Sequence, residues 1–449
     1  MEEKINDNEK LREEETETPA NSKWPLQAKI IICCLIILII GLIIFIIILS
    51  ILKSDKKENK NDGEEEDEDD HEEDSQREIY EKAGYIEPWN DLYGIRKTNL
   101  SYVKEDKIVN SFKNGGDNFN ESIGEINGGK DYPKNERNVY TLYIPYSSLY
   151  KKDKYNGIFL YIHGGSWTGG NKEDIEFLCS RYAKMGYITA TMGYTVLSGK
   201  YEQYNIYRVL DEINACIESI KEELEGMGFN SSKLEMAIGG VSAGAHITLL
   251  YGYTIKKTPI KLKFLVNIVG PLSLEPEFWY KPSKNNRTTD DLEKETVDKA
   301  IQEGKFIPIF EDRVFIGLMN GFLGNLYSEE DTKEMIVDNK INNESTKYQE
   351  MFKKVQNSFP IKFVDNNTLP TLCEYAGNDS LVGVAMYKFL KEASKKYGNQ
   401  LDLVYMKYAG HELISYNTEN GIKAMRDIHY QVLNYASKYF THQMRNNTD

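Results

Sequence analysis

A serine flanked by small residues is the first candidate for chemistry in this sequence. Ser242 stands in the sequence Gly-Val-Ser-Ala-Gly at 240–244, which follows an apolar run, Leu234–Ile238, and precedes a helical run, Ala245–Tyr253. A sharp strand-to-helix turn needs small flanking residues, because its backbone passes close to neighbouring chain, and it projects the serine hydroxyl above the sheet. The pattern therefore predicts that Ser242 is a nucleophile at such a turn.

A glycine-rich segment upstream of this serine is suited to stabilising negative charge. The sequence His-Gly-Gly-Ser-Trp at 163–167 directly follows the apolar run Gly157–Ile162. Glycines there let backbone N–H groups approach an oxyanion that develops on a substrate. We expect the oxyanion hole to be formed by the N–H groups of Gly164, Gly165 and Ala243. His163 is predicted to orient this loop by hydrogen bonding rather than to act as the general base.

An acid and a histidine follow the serine in the chain, each at the end of an apolar run. Asp379 comes shortly after Thr371–Tyr375, and His411 comes shortly after Leu401–Met406. Reactive groups of parallel sheets gather at the carboxyl ends of the strands. The order serine, acid, histidine then predicts a triad, in which His411 takes the serine proton and Asp379 fixes the histidine tautomer.

Other acids and histidines compete for these roles. Glu374 lies in the middle of a predicted strand and Asp365 precedes it, so each is interpreted as a surface or packing residue. His246 follows the serine turn and is predicted to pack within a helix. The remaining histidines are assigned to the N-terminal acidic stretch, the last helix and the C-terminus; they are His71, His429 and His442.

The chain from about residue 135 onward alternates between short apolar runs and amphipathic stretches. Strands separated by helices imply a mainly parallel sheet with helices on both faces. Between Pro271 and Pro370 strand signals are absent. We predict a helical lid insertion within 271–369, on placement alone.

These motifs together resemble the esterase/lipase branch of the α/β-hydrolase superfamily. The likeness is carried by the histidine-glycine loop, the serine turn, Gly-Asn-Asp-Ser-Leu-Val at 377–382 and Gly-His-Glu at 410–412. The chain resembles above all the feruloyl esterases and carboxylesterases of bacterial type. The resemblance covers about residues 135–440 and implies an eight-stranded α/β sheet, an acyl-enzyme mechanism, no metal and no organic cofactor.

Two departures from the family pattern bear on the substrate. Ser166 replaces the third glycine of the lipase-type loop, and the segment at 193–196 is Gly-Tyr-Thr-Val instead of Asn-Tyr-Arg-Leu. Trp167 and Tyr194 either line an acyl pocket or pack in the core, and the sequence does not decide between these alternatives. Trp279 belongs to the predicted lid, where contact with substrate is equally open.

The N-terminal part of the chain differs in composition from the rest. Residues 1–29 form a short charged tail, and the uncharged run 30–52 matches the length of a transmembrane helix, at about 1.5 Å per residue. Residues 53–82 are predominantly acidic and are predicted to form a disordered stalk. The hydrolase domain is assigned to residues 83–449, where the net charge is about −3, so no nucleic-acid surface is indicated.

The side of the membrane and the redox compartment are harder to assign. Lysine and arginine flank the apolar run almost equally on both sides. Asn-x-Ser/Thr sequons after the run favour a lumenal or extracellular domain; they lie at Asn99, Asn120, Asn230, Asn286, Asn343, Asn366, Asn378 and Asn446. Five cysteines make no disulfide framework. Cys179, Cys216 and Cys373 are expected to be free and buried, with one pair among them left open.

The resulting hypothesis is a single-pass, membrane-anchored serine hydrolase that cleaves small-molecule carboxylic esters. Another acyl hydrolase, such as an arylformamidase or a prenylcysteine methylesterase, is the alternative within enzymes. A non-catalytic membrane receptor on a hydrolase scaffold is the alternative outside them, since fold does not guarantee activity. The bilayer is the expected partner of residues 30–52, and the oligomeric state is left open.

Overall fold

The computed structural model describes a large part of the predicted hydrolase domain. The predicted tail, membrane anchor and stalk, residues 1–29, 30–52 and 53–82, lie outside the described residues. None of the helices that the structure describes has the length and apolar composition of a membrane-spanning segment. The described ranges are 89–111, 130–198, 200–201, 204–282, 306–377, 379–383, 385–406, 409–411 and 418–441.

An eight-stranded sheet organises the described residues. Its strands lie in the order β1-β2-β4-β3-β5-β6-β7-β8. The pairs β1–β2 and β2–β4 are antiparallel, and the other neighbours are parallel, so the expected mainly parallel sheet is confirmed. The strands are β1 (Gly94–Ser101), β2 (Val139–Pro145), β3 (Ile158–Ile162), β4 (Ile188–Met192), β5 (Glu235–Val241), β6 (Lys261–Ile268), β7 (Thr371–Ala376) and β8 (Leu401–Met406).

Burial explains why these segments form strands. Every residue of β3, β4 and β7 is buried, and such strands appear in a sequence as continuous apolar runs. β1 is different: it is an edge strand that exposes most of its polar sequence, and it lies upstream of the region where the alternation was predicted to begin. Edge strands carry charged and polar side chains, so apolar patterning does not reveal them.

Helices cover both faces of the sheet, as the alternation predicted. Apolar residues of α3, α4 and α8 pack in one core with one face of the sheet, and those of α2 and α9 pack in a second core on the other face. The helices are α1 (Tyr146–Tyr150), α2 (Glu176–Lys184), α3 (Ile206–Gly226), α4 (Ala243–Thr254), α5 (Asp312–Phe322), α6 (Glu329–Glu334), α7 (Thr346–Val355), α8 (Ala385–Tyr397) and α9 (Thr418–Tyr439).

The described part of the predicted lid, residues 271–282 and 306–369, is mainly helical but also contains strands. It includes α5, α6 and α7. Although strand signals are absent from its sequence, Tyr280–Pro282 pairs with Phe306–Pro308 and Ile336–Val337 pairs with Lys340–Ile341. These ladders are two or three residues long, which is too short to produce a periodic sequence pattern.

The cysteines of the fold are structural. Cys179, Cys216 and Cys373 are each buried and free, which confirms the expectation for these three. Burial raises the pKa of each thiol, which disfavours the reactive thiolate. Cys33 and Cys34 lie outside the described residues.

Candidate active site

The backbone turns sharply at the end of β5, and Ser242 stands at the turn. Its φ of 54° and ψ of −121° are unfavourable for a residue with a side chain, and α4 begins at the next residue. The Ser242 N–H donates to the carbonyl oxygen of Ile268 at the end of β6, at 2.8 Å. A strained conformation of this kind persists where the surrounding structure determines it.

The two glycines of the serine motif are required by close backbone packing. A Cβ on Gly240 would lie 2.3 Å from the carbonyl oxygen of Gly244, so the turn leaves no room for a side chain. A Cβ on Gly244 would lie 2.2 Å from the carbonyl oxygen of Ile162 at the end of β3. The turn is therefore packed directly against the strand that leads into the histidine-glycine loop.

The three predicted triad residues lie in one hydrogen-bonded chain. The Ser242 Oγ is 2.9 Å from the His411 Nε2. On the other side of the ring, the His411 Nδ1 is 2.9 and 3.0 Å from the two carboxylate oxygens of Asp379. A carboxylate accepts, so Nδ1 carries the proton and Nε2 is free to accept from the serine hydroxyl.

Asp379 is held as an acceptor by the backbone as well. Its Oδ1 accepts the N–H groups of Leu381 and Val382, each at 2.8 Å. Its side chain is fully buried, whereas the side chain of His411 is 16 % exposed. The acid is thus fixed in place, and the histidine keeps access to solvent.

The histidine-glycine loop approaches the serine from the neighbouring strand. A Cβ on Gly164 would lie 3.1 Å from the Ser242 Cβ, so the backbone of Gly164 borders this serine. Gly165 has a φ of 111°, which favours glycine. Within the described part of the chain, the N–H groups of Gly164, Gly165 and Ala243 have no hydrogen-bond acceptor. Ala243 is the first residue of α4, where an N–H has no partner within the helix.

The aromatic residues that sequence patterns left ambiguous are packed in the core. Trp167 and Tyr194 are almost completely buried. The Trp167 Nε1 donates to the His246 Nδ1 at 3.3 Å, and its ring packs edge-on against Phe322 of α5. Trp279 is buried as well, and its Nε1 donates to the Ser273 carbonyl at 2.8 Å.

The competing histidines that the structure describes are buried and engaged elsewhere, whereas His71 and His442 lie outside the described residues. Burial lowers the pKa of His163 and of His246 to about 4, so both are neutral near pH 7. The His163 Nδ1 lies 2.7 Å from the Gly164 carbonyl oxygen. His163 therefore forms a hydrogen bond to the histidine-glycine loop, as its sequence position predicted. The His246 Nε2 lies 2.9 Å from the Ser358 carbonyl oxygen. His429 forms a 2.8 Å hydrogen bond with the Tyr182 hydroxyl.

The competing acids do not contact the triad histidine. Asp365 is exposed and accepts from the backbone N–H of Asn367 in its own turn. Glu374 is fully buried in β7, and neither of its carboxyl oxygens has a hydrogen-bond partner among the described residues. Burial raises the pKa of Glu374 to about 8, so its carboxyl group is protonated near neutral pH.

One residue that contacts the oxyanion loop carries no recognisable sequence signal. The guanidinium of Arg137, just before β2, donates to the carbonyl oxygens of Tyr194 and Gly170. Its Nη2 also lies 3.4 Å from the His163 Nε2. Arg137 stands in a polar turn before a strand, and no motif distinguishes it from the other basic residues of the chain.

Comparisons with known proteins give one family and a set of distant structures. Residues 142–304 match the family model BD-FAE, and no curated protein matches the chain. A truncated carbohydrate esterase from gut microbiota is 14 % identical, covers 78 % of this chain and 99 % of its own, and has a TM-score of 0.49. Esterase B from Lactobacillus rhamnosis is 12 % identical, with 82 % and 94 % covered and a TM-score of 0.48.

The protonated carboxyl of Glu374 predicts a pH-dependent stability. Between the ordinary glutamate pKa of about 4.3 and about 8, the folded state holds a proton that the unfolded state has lost. Raising the pH across this window therefore destabilises the wild type, by about 1.4 kcal/mol per pH unit at most. Glu374→Gln removes this effect. The free energy of unfolding of the variant should therefore increase relative to that of the wild type between pH 5 and pH 8.

Denaturant unfolding at pH 5 and at pH 8 measures the free energies of unfolding of the wild type and of Glu374→Gln. Exposed Glu350 of α7 supplies the matched control, and Glu350→Gln should keep the wild-type pH dependence. Parallel pH curves for wild type and Glu374→Gln would contradict a buried, protonated Glu374.

Proposed function

We propose that this chain, which belongs to the esterase branch of the α/β-hydrolase superfamily, is a serine hydrolase that cleaves carboxylic esters through an acyl-enzyme intermediate. The family match supports an esterase-type hydrolase. The proposal rests chiefly on the chain of hydrogen bonds from Ser242 through His411 to Asp379. A nucleophile, a base and a group that orients the base are the parts that such a reaction requires.

The first half of the reaction forms the acyl-enzyme. The Ser242 Oγ attacks the ester carbonyl carbon while the His411 Nε2 takes the hydroxyl proton. The resulting imidazolium is stabilised by the carboxylate of Asp379. The tetrahedral intermediate then collapses, the bond to the alcohol oxygen breaks, and His411 returns the proton to the departing alcohol.

The second half of the reaction releases the acid. Water enters, His411 takes a proton from it, and the hydroxide attacks the acyl carbonyl carbon. Collapse of the second intermediate breaks the bond to the Ser242 Oγ, which recovers the proton from His411. The 16 % exposure of the His411 side chain gives water a route to the ring.

The oxyanion of both intermediates is assigned to the N–H groups of Gly164, Gly165 and Ala243. These amides lack other acceptors among the described residues, and Gly164 borders the nucleophile. Loss of one such donor costs about 3 kcal/mol of transition-state stabilisation in enzymes of this type.

The same groups attack other acyl compounds, so the substrate class needs a direct test. An aryl formamide and a prenylcysteine methyl ester present a carbonyl to the same nucleophile, and graded p-nitrophenyl esters report acyl-chain preference. A receptor function without catalysis is disfavoured because Ser242, His411 and Asp379 form the hydrogen bonds that a catalytic triad requires.

Replacement of the nucleophile tests the proposed reaction. We expect a fluorophosphonate probe to label the full-length wild type and Ser232→Ala, an exposed serine outside the site, but not Ser242→Ala. Hydrolysis of p-nitrophenyl esters should fall by roughly 10⁴-fold or more in Ser242→Ala, since the residual rate depends on the oxyanion hole and binding alone. Mass spectrometry of the adduct and initial rates measure both effects.

A folded wild type that the probe leaves unlabelled would refute the serine mechanism. Activity that survives in Ser242→Ala would refute the assignment of the nucleophile. If the probe labels the wild type and the protein hydrolyses the formamide but none of the esters, the proposed activity would be that of an arylformamidase instead.

We further propose that residues 30–52 anchor the hydrolase in a membrane. The support is the sequence: the run is uncharged and has the length of a bilayer-spanning helix. A helix of this composition inserts because its apolar side chains leave water while its backbone hydrogen bonds stay within the helix.

The anchor predicts that the chain behaves as an integral membrane protein. In eukaryotic cells the full chain should sediment with membranes and stay in the pellet after alkaline carbonate washing. Deletion of residues 30–52 should move it to the supernatant, whereas deletion of the acidic stretch 53–82 should not. Release of the intact chain by carbonate would contradict an integral anchor.

The side of the membrane is proposed to be lumenal or extracellular, and the described sequons make this testable. Asn99, Asn230, Asn343 and Asn366 are exposed on the fold and can be reached by a glycosyltransferase. We expect the full chain from eukaryotic cells to lose mass on treatment with a peptide-N-glycosidase, and Asn→Gln replacement at these four sites to reduce the shift. An unglycosylated, membrane-inserted chain would instead place the domain on the cytosolic side.

A further inference from the structure

The loop that carries the oxyanion amides has a strained backbone. Ser166 and Trp167 have φ values of 51° and 61°, in the left-handed region that side chains disfavour. Gly165 and Gly170 also have positive φ values, of 111° and 82°. Backbone in such conformations holds its shape where neighbouring groups restrain it. The direction of the loop amides therefore depends on such restraints. Within the loop, the N–H groups of Thr168 and Gly169 donate to the Gly165 carbonyl oxygen, and further contacts come from outside it.

His163 restrains the first peptide of this loop. The carbonyl oxygen of Gly164 can only accept, so the His163 Nδ1, at 2.7 Å, carries the proton and donates to it. In a trans peptide the carbonyl of one residue and the N–H of the next point in opposite directions. Holding the Gly164 carbonyl toward His163 therefore holds the Gly165 N–H away from His163.

Arg137 fixes His163 and the far end of the same loop at once. With a proton on Nδ1, the His163 Nε2 is an acceptor, and the Arg137 Nη2 lies 3.4 Å from it. The same nitrogen donates to the Gly170 carbonyl at 2.5 Å, and the Arg137 Nε donates to the Tyr194 carbonyl at 2.7 Å. One planar cation thus contacts both ends of the loop and the segment that follows β4.

The position of Arg137 is itself restrained by the polar turn in which it lies. The Arg137 N–H donates to the Asn135 Oδ1 at 2.9 Å, and the Asn135 Nδ2 donates to the Thr195 hydroxyl at 2.8 Å. A Cβ on Gly193 would lie 2.6 Å from the Arg137 carbonyl oxygen, so glycine at 193 lets this turn pack closely. Gly193 and Thr195 are two of the residues at which this chain departs from the family sequence.

We propose that Arg137 is a positioning residue of the oxyanion hole: its guanidinium fixes the tautomer of His163 and the ends of the 164–170 loop, and so aims the Gly165 N–H at the reacting oxygen. The proposal rests on the proposed esterase function, because it assigns Arg137 to the hole of that reaction. Every nitrogen of the Arg137 guanidinium contacts an acceptor of the chain, so we assign the residue to the loop rather than to a charged group on a substrate.

A positioning residue makes a kinetic prediction that a residue of general stability does not. An oxyanion donor acts in the transition state, so its misplacement lowers kcat and leaves KM almost unchanged. We expect Arg137→Gln to lower kcat on a p-nitrophenyl ester by at least about tenfold, part of the ~10²–10³-fold effect of a lost donor, with KM within about twofold. Arg137→Lys should recover little, because one ammonium group cannot contact three separated acceptors.

Matched variants separate this role from other effects of removing a cation. Arg313 is exposed at the start of α5, and Arg313→Gln should keep wild-type kcat and KM. In Arg137→Ala, millimolar guanidinium should restore part of kcat, and equal concentrations of ammonium should not. Equal thermal unfolding temperatures of the variants, or rescue of kcat at a temperature where all are folded, exclude a simple loss of stability.

A measurement without substrate separates failure of this proposal from failure of the esterase proposal. In a Ser242→Ala background, Arg137→Gln should speed amide hydrogen exchange in peptides covering 164–170 at least about tenfold, and Arg313→Gln should not. If Arg137→Gln speeds exchange but the wild type hydrolyses no ester, the restraint of the loop by Arg137 stands and the proposed esterase function is refuted. Unchanged exchange together with unchanged kcat in Arg137→Gln would overturn the role of Arg137.

Discussion

The turn at Ser242 is the constraint on which the described fold depends. The positive φ of Ser242 is possible because Gly240 and Gly244 have no side chain. The backbone at Gly240 lies against Gly244, and the backbone at Gly244 lies against the end of β3, at distances that exclude a Cβ. Ser242, the end of β3 and the loop that follows it therefore form one packed unit. Their spacing cannot change independently, and this gives the Ser242 hydroxyl and the amides of the 164–170 loop a fixed relation.

Desolvation separates the described histidines from one another. His163, His246 and His429 are almost fully buried, and burial lowers the pKa of each, so they stay neutral and serve as hydrogen-bonding groups. Glu374 is buried as well and keeps its proton near neutral pH. His411 is the described histidine that combines a carboxylate partner, a serine partner and access to solvent. Burial, more than sequence position, separates it from the others.

Local chemistry made much of this structure predictable from the sequence. Buried parallel strands appear as apolar runs, and the serine and histidine motifs stand at strand ends because their glycines are needed there. Ser242, Asp379 and His411 come together as those positions predicted. β1 and Arg137 were not predictable, because an edge strand and a polar turn gain their roles from partners far along the chain. The short ladders of the lid region have too few residues for a periodic signal.

The oxyanion loop shows how strain and burial are combined in this fold. Left-handed backbone at Ser166 and Trp167 costs about 1–3 kcal/mol at each residue. It turns the Trp167 indole into the core against Phe322, and burying about 200 Å² of aromatic side chain returns about 5 kcal/mol as an upper estimate. The two terms are of similar size, so burial of the tryptophan keeps the loop folded but leaves little surplus to fix its exact geometry. Polar contacts at its two ends, from His163 and Arg137, supply the direction that burial alone does not.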